Sequence, residues 1–211
     1  EHPNPHFLDP QLARSTFIEP ALQGLGTKAA VLVFQFSPLP HHLLGDPDAF
    51  CARLEAFMLA LPPTPGALFA VELRDASLLR PRLVDALKRT GWQLCLGLHA
   101  RLPDIEDQLP LLRALWPRPL ICRWSLHRGT AYEQARRNWH PFDRLAAPDV
   151  HTRDVLARVA AATLAKDLPV FVTINNKAEG SAPLSVIELA ASISAQLRSC
   201  ATSQRSASVR A

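Results

Sequence analysis

The sequence predicts an α/β fold built on parallel strands. Three observations carry this: five short β-rich apolar runs, helical segments between them, and polar residues gathered where the runs end. The runs are Val31–Phe36 (VLVFQF), Leu68–Leu73 (LFAVEL), Gln93–Leu98 (QLCLGL), Leu120–Trp124 (LICRW) and Val170–Ile174 (VFVTI). They are nearly continuous in apolarity rather than strictly alternating, as strands covered on both faces are.

The intervening segments carry helix punctuation. Asp9-Pro10 is an N-cap followed by proline at the first helical position. Phe17, Ile18, Ala21, Leu22 and Leu25 then form an apolar stripe that Gly26 stops, and Pro20 inside it predicts a kink or early break. Further helices are expected over Pro47–Leu61, Ser77–Arg89, Ile105–Leu115, His151–Lys166 and Pro183–Leu197. Residues 1–198 read as one partial (β/α) domain, and the Ser- and Arg-rich residues 199–211 as a disordered tail. Five parallel strands suit either an open doubly wound sheet or the last five strands of an eight-stranded barrel. The chain opens on Glu1, which reads as a start inside a longer protein.

At 211 residues and 48% apolar, the chain is long enough for one sizeable core. The net charge of +4 is small and comes largely from Arg198, Arg205 and Arg210 near the C-terminus, with no dense Lys/Arg block and no interleaving of aromatic and basic residues, so nucleic acid is not expected as a partner. Cys51, Cys95, Cys122 and Cys200 show no CxxC spacing, which argues for free thiols in a reducing, cytoplasmic compartment. No run of about 18 apolar residues exists, so no membrane span is expected. Neither GxGxxG nor GxxxxGK[ST] follows a strand, and no nucleotide cofactor is assigned.

Ligands of parallel α/β folds bind beyond the carboxyl ends of the strands. There the first run places Gln35, the second Glu72 and Arg74, the third His99, and the fourth Arg123 and His127. Glu72 and Arg74 are two apart on a strand and share a face, so they form either an ion pair or part of a site. Arg123, costly to bury alone, meets Glu72 or an anion. The fifth run leads into Asn175, Asn176, Lys177, Glu179 and Gly180, a dense polar cluster whose planar amides suit hydroxyl or carbonyl ligands. The helix that follows offers free N–H groups to an anion. A capped strand-to-helix turn is the plainer reading of the same residues. Glu72, His99 and His127 make a metal set on paper, but no HxH or HExxH spacing supports it, and no metal is assigned.

The stretch NNKAEGSAPLSVIELA (Asn175–Ala190) resembles the C-terminal motif of the YecE-like family, domain of unknown function DUF72. LVFQFSPLP (Leu32–Pro40) and FAVELRD (Phe69–Asp75) resemble two of its strands, and the segment from Tyr132 to Arg153 resembles one branch. The resemblance implies a TIM-type (β/α) barrel of which this chain holds the last five of eight strands. It marks Gln35, Glu72, Arg74, Arg123, Asn175, Asn176, Gly180 and Pro183. His99 stands where many relatives carry an acidic residue, and the seventh-strand text RWSLHRG departs from the family's R-L-H-G.

The expected function is a site at the strand ends acting as a hydrolase or isomerase on a small anionic or sugar-like substrate. Glu72 and His127 are its acid–base residues. Gln35, Arg74, Arg123, Asn175, Asn176, Lys177 and Glu179 bind substrate. The competing expectations are a non-catalytic barrel that binds a metabolite or partner, and a truncated product without activity. The sequence leaves the oligomeric state open.

Overall fold

The structure is a computed structural model describing residues 4–61 and 64–208, with side chains placed up to 199. It is an α/β fold with five parallel strands that follow one another in chain order. Its contacts gather into two compact units, residues 1–95 and 96–211.

The first unit opens with helix α1 (Pro10–Ala13), capped by Asp9, whose carboxylate accepts from the N–H groups of Gln11 and Leu12. A π turn over Arg14–Ile18 separates it from α2 (Glu19–Leu25). Pro20 has no N–H to donate backwards, and the wide turn lies just ahead of it, as the expected break. Strand β1 (Val31–Phe36) follows, then α3 (His41–Leu44) and α4 (Pro47–Leu59), which Asp46 caps. Strand β2 (Leu68–Leu73) runs parallel to β1 with Gln35 beside Glu72. The next helix was expected from Ser77; a short 3₁₀ turn (Ala76–Leu78) precedes it, and α5 (Pro81–Thr90) starts at proline. Gly91 ends it in the left-handed region at φ +75°, its N–H on the carbonyl of Leu87. Strand β3 (Gln93–Leu98) begins beside β2 and crosses the unit boundary.

The core of this unit is aromatic. Phe34 on β1 sits 4.7 Å from Trp92 and 6.0 Å from both Phe57 of α4 and Phe69 of β2. Trp92 is fully buried, and its indole N–H donates to the carbonyl of Leu61 at 3.2 Å. Phe34 and Phe69 therefore define the helix-covered face, which leaves Val33, Gln35, Ala70 and Glu72 on the opposite face.

The second unit continues from the end of β3 into α6 (Ile105–Leu115), β4 (Leu120–Trp124), α7 (Tyr132–Trp139), α8 (Val150–Leu164), β5 (Val170–Ile174), α9 (Asn176–Glu179) and α10 (Ala182–Ser208). Strands β4 and β5 pair in parallel, with Arg123 beside Thr173 and Trp124 beside Ile174. Leu120, Cys122 and Trp124 enter a core with Val155, Leu156 and Ala160 of α8, and Val172 and Ile174 pack against it. The last helix runs past Leu197 to Ser208, because the residues between contain neither glycine nor proline to stop it. Residues 209–211 of the expected tail lie outside the described residues.

Cys51, Cys95 and Cys122 are buried, and burial pushes the Cys51 thiol up to about 11. No helix among the described residues is long and apolar enough to cross a membrane.

Helices α4 and α5 are fastened by Glu55. Its carboxylate meets Arg82 at 2.6 Å and pairs with Arg89 through both Nε and Nη2. The hydrogen bond from Arg89, with that from Arg82, holds the Glu55 carboxyl down at about 2 against an ordinary 4.5. A depressed carboxyl contributes stability above its unfolded pKa and loses it as pH falls through the folded value. Both arginines are partly solvated, which limits the contribution. Glu55→Gln is expected to cost about 2 kcal/mol at neutral pH. Urea unfolding at neutral and acid pH is expected to show this difference shrinking as pH falls from 4.5 toward 2. A difference independent of pH would contradict it.

Candidate functional site

Parallel strands in register point paired side chains to the same side, so each unit gathers polar residues on the face away from its helices. In the first unit this face carries Gln35, Glu72 and, two residues on, Arg74. Glu72 is 0% exposed, and its Oε1 lies 2.6 Å from Nε of Arg74. The ion pair foreseen for these two is therefore present, with the carboxylate desolvated and committed to the guanidinium. Beside it, the carboxylate of Asp75 accepts from the N–H of Leu39 at 2.9 Å, tying the segment after β1 to the one after β2.

In the second unit Trp124 and Ile174 point into the core, so Arg123, Ser125, Thr173 and Asn175 share the other face. The ladder continues past the strands, because the N–H of Asn175 donates to the carbonyl of Trp124 at 2.9 Å. Arg123 is half-buried there, while Asn175 is exposed.

The cluster after β5 divides into residues that shape the backbone and Lys177, which meets aromatic rings. Asn175 caps α9, its Oδ1 accepting from the N–H of Lys177 at 3.0 Å. Asn176 caps the long helix that follows, its Oδ1 accepting from the N–H of Ala182 at 2.8 Å. One of the N–H groups expected to meet an anion is thus satisfied from within. Glu179 is fully buried, and its Oε1 accepts from the N–H of Asp149 at 2.7 Å and from Arg153 at 2.5 Å. Its own carbonyl accepts from the N–H of Ala147 at 2.9 Å. Together these contacts pin the turn after β5 to the segment that enters α8. Gly180 makes the approach possible: at φ +117°, a Cβ there would meet the backbone N of Ala146 at 2.5 Å and the carbonyl of Arg144 at 2.6 Å.

Lys177 is half-buried. Its ammonium stands 4.3 Å from the ring centre of Tyr132 and 5.8 Å from that of Phe142. Phe142 takes φ +65°, a conformation rare for a side-chain-bearing residue, with its N–H on the carbonyl of Trp139 at 2.8 Å. The carbonyl of Lys177 accepts from the N–H of His127 at 2.7 Å, which holds the two segments side by side. The His127 ring packs edge-on to Trp139 at 5.8 Å, and its Nδ1 is 2.7 Å from the carbonyl of Arg128. A carbonyl only accepts, so Nδ1 carries the proton, and the neutral imidazole has its lone pair on Nε2. His99 takes the opposite arrangement, its Nδ1 accepting from the N–H of Arg101 at 3.2 Å.

The sequence reading missed the aromatic walls, Tyr132, Trp139 and Phe142, and Arg153 as partner of Glu179. A clue lay in the density of ring residues between Tyr132 and Phe142, four of eleven if His140 is counted. Among the described residues no three His, Cys, Asp or Glu side chains gather as a metal site needs.

The model of a family described as protein of unknown function DUF72 matches residues 6–208. Among solved structures, the chain is similar to a DUF72 family protein from Enterococcus faecalis, at 15% identity and a TM-score of 0.53. The match covers 88% of this chain and 66% of that one, so the chain spans just under two thirds of its relative's length. A comparison with curated proteins finds no match.

The pinned turn yields a direct test. Gly180→Ala forces a Cβ against backbone and a strained φ, and is expected to cost about 3 kcal/mol or more, lowering Tm by about 6–12 °C. A thermal melt within about 2 °C of the parent would contradict the close approach.

Proposed function

The chain belongs to the DUF72 family of proteins of unknown function, and on that footing we propose that it is a hydrolase or isomerase of a small anionic or sugar-like molecule, bound at the carboxyl ends of β4 and β5. The observation that carries this reading is the ring of His127, oriented by the Arg128 carbonyl so that Nε2 is the basic nitrogen, on a segment whose backbone N–H is bonded to the carbonyl of Lys177. A base whose far nitrogen is fixed by a carbonyl has one tautomer and one direction of proton transfer. When Nε2 takes a proton from a substrate hydroxyl, the Nδ1–H bond to Arg128 strengthens, because a charged donor holds a carbonyl more tightly.

Lys177 supplies the anion contact. Resting over Tyr132 satisfies its charge by about 1 kcal/mol, less than a phosphate or carboxylate offers. The Tyr132 and Phe142 faces suit the apolar side of a sugar ring. Asn175 has its Oδ1 on the backbone of Lys177, which directs its amide N–H groups elsewhere as donors to hydroxyls. Arg123 on the same strand face is a further anion contact.

In the first unit, Glu72 serves to align and desolvate Arg74, and Gln35 stands beside it in register. Arg74 is then the anion-binding group there, and Glu72 positions it. The five strands correspond, in this reading, to the last five of an eight-stranded TIM-type barrel in a cytoplasmic protein.

A panel of sugar phosphates and sugar acids, screened by thermal shift and followed by proton NMR for turnover, tests the proposal. At least one compound is expected to raise Tm and to be converted. Lys177→Met is expected to weaken its binding about tenfold, the worth of one charge-assisted contact. His127→Asn is expected to retain binding and lose about 10²–10⁴-fold in turnover. Binding without turnover in the parent would leave a metabolite-binding protein, and turnover unchanged in His127→Asn would remove the acid–base role.

A further inference from the structure

On the outer side of the second unit, α6 packs against α8, and an open groove of about 590 Å³ runs between them. Leu109, Leu112 and Arg113 of α6 and Trp116 just past its end line one side, and Val155, Arg158, Val159 and Ala162 line it from α8. The α8 positions fall at i, i+3, i+4 and i+7 and the three on α6 at i, i+3 and i+4, the spacing of one continuous face on each helix. The face is apolar apart from one arginine per helix, and Trp116 leaves 42% of its surface in water. Among the described residues neither Arg113 nor Arg158 has an ion-pair partner. At the N-terminal end of α6 stands Glu106, also on the groove, half-exposed and 3.0 Å from His151 across on α8.

The order of charges along α6 decides what covers the groove. An acid at 106 and a base at 113 are two turns apart, about 10 Å along the axis, with Leu109 and Leu112 between them. A stripe with one acid and one base at opposite ends is complementary to itself when reversed. We propose that this face binds a second copy of the chain about a two-fold axis. The two α6 helices then lie antiparallel, with Glu106 of each copy against Arg113 of the other. Such an isologous contact uses one patch twice and closes on itself. It covers Leu109, Leu112 and the exposed indole of Trp116, and it brings an acid to a rim otherwise dominated by Arg113 and Arg158.

Light scattering behind gel filtration, over a rising concentration series of the full chain, tests this. The parent is expected to be a dimer at micromolar concentration. Arg113→Glu sets acid against acid twice and is expected to weaken the dimer at least tenfold. Combining Glu106→Arg with Arg113→Glu restores opposite charges at both contacts and is expected to recover it. Trp116→Lys gives an independent disruption, with circular dichroism confirming that each variant is folded. A parent that stays monomeric at all concentrations, or an Arg113→Glu variant as dimeric as the parent, overturns the proposal. A monomeric parent whose Trp116 fluorescence responds to an added acidic amphipathic peptide also overturns it, in favour of another protein as occupant.

Discussion

Alternation along the strands is the constraint on which the rest of each unit depends. Successive side chains must point to opposite faces, and one face is covered by helices. Once Phe34 and Phe69 are committed to the aromatic core, Gln35 and Glu72 have no choice but the other face. Once Trp124 and Ile174 are committed to the core over α8, Arg123 and Asn175 follow in the same way. A register slip of one residue would drive Arg123 into that core and expel Trp124, at a cost of several kcal/mol for the desolvated charge alone. The polar residues at the strand ends are therefore collected by geometry before any function is asked of them.

What alternation does not fix is the backbone beyond the last strand residue, and there buried polar contacts take over. Glu179 carries the turn after β5 onto Arg153 and the N–H of Asp149, while Asn175 and Asn176 cap the two helices that follow. Glu179 Oε1 and the Oδ1 atoms of Asn175 and Asn176 are engaged within the protein itself. Lys177 and His127, both half-buried, are in the proposed function the groups that meet another molecule. The strained backbone of Phe142 belongs to the same arrangement, since it brings one of the two rings near the ammonium of Lys177.

Much of this was legible in the sequence. All five strands were expected with the boundaries they have, because β-branched and aromatic residues in short apolar runs leave few alternatives. The helices at Pro47 and Ile105 were also expected, the first to within two residues at its end and the second with the boundaries it has. Helices α7 and α9 were not foreseen. One is polar nearly all round and the other is a single turn, so neither gives the 3.6-residue signal. The site was half legible: the strand ends named Glu72, Arg123 and the Asn-Asn-Lys cluster. Which member caps a helix and which faces solvent depends on partners distant in sequence, such as Arg153 and Tyr132. Spacing alone cannot reveal those.

The proposed site depends on His127 having its basic nitrogen at Nε2. Long-range proton–nitrogen NMR of the histidine rings, in alkaline buffer where the imidazole is neutral, reads the tautomer directly. The expected result is a protonated Nδ1 and an unprotonated Nε2 whose resonance shifts when a sugar phosphate or sugar acid is titrated in. A protonated Nε2, or an Nε2 signal indifferent to every such ligand, would contradict the assignment of this strand-end face as the site.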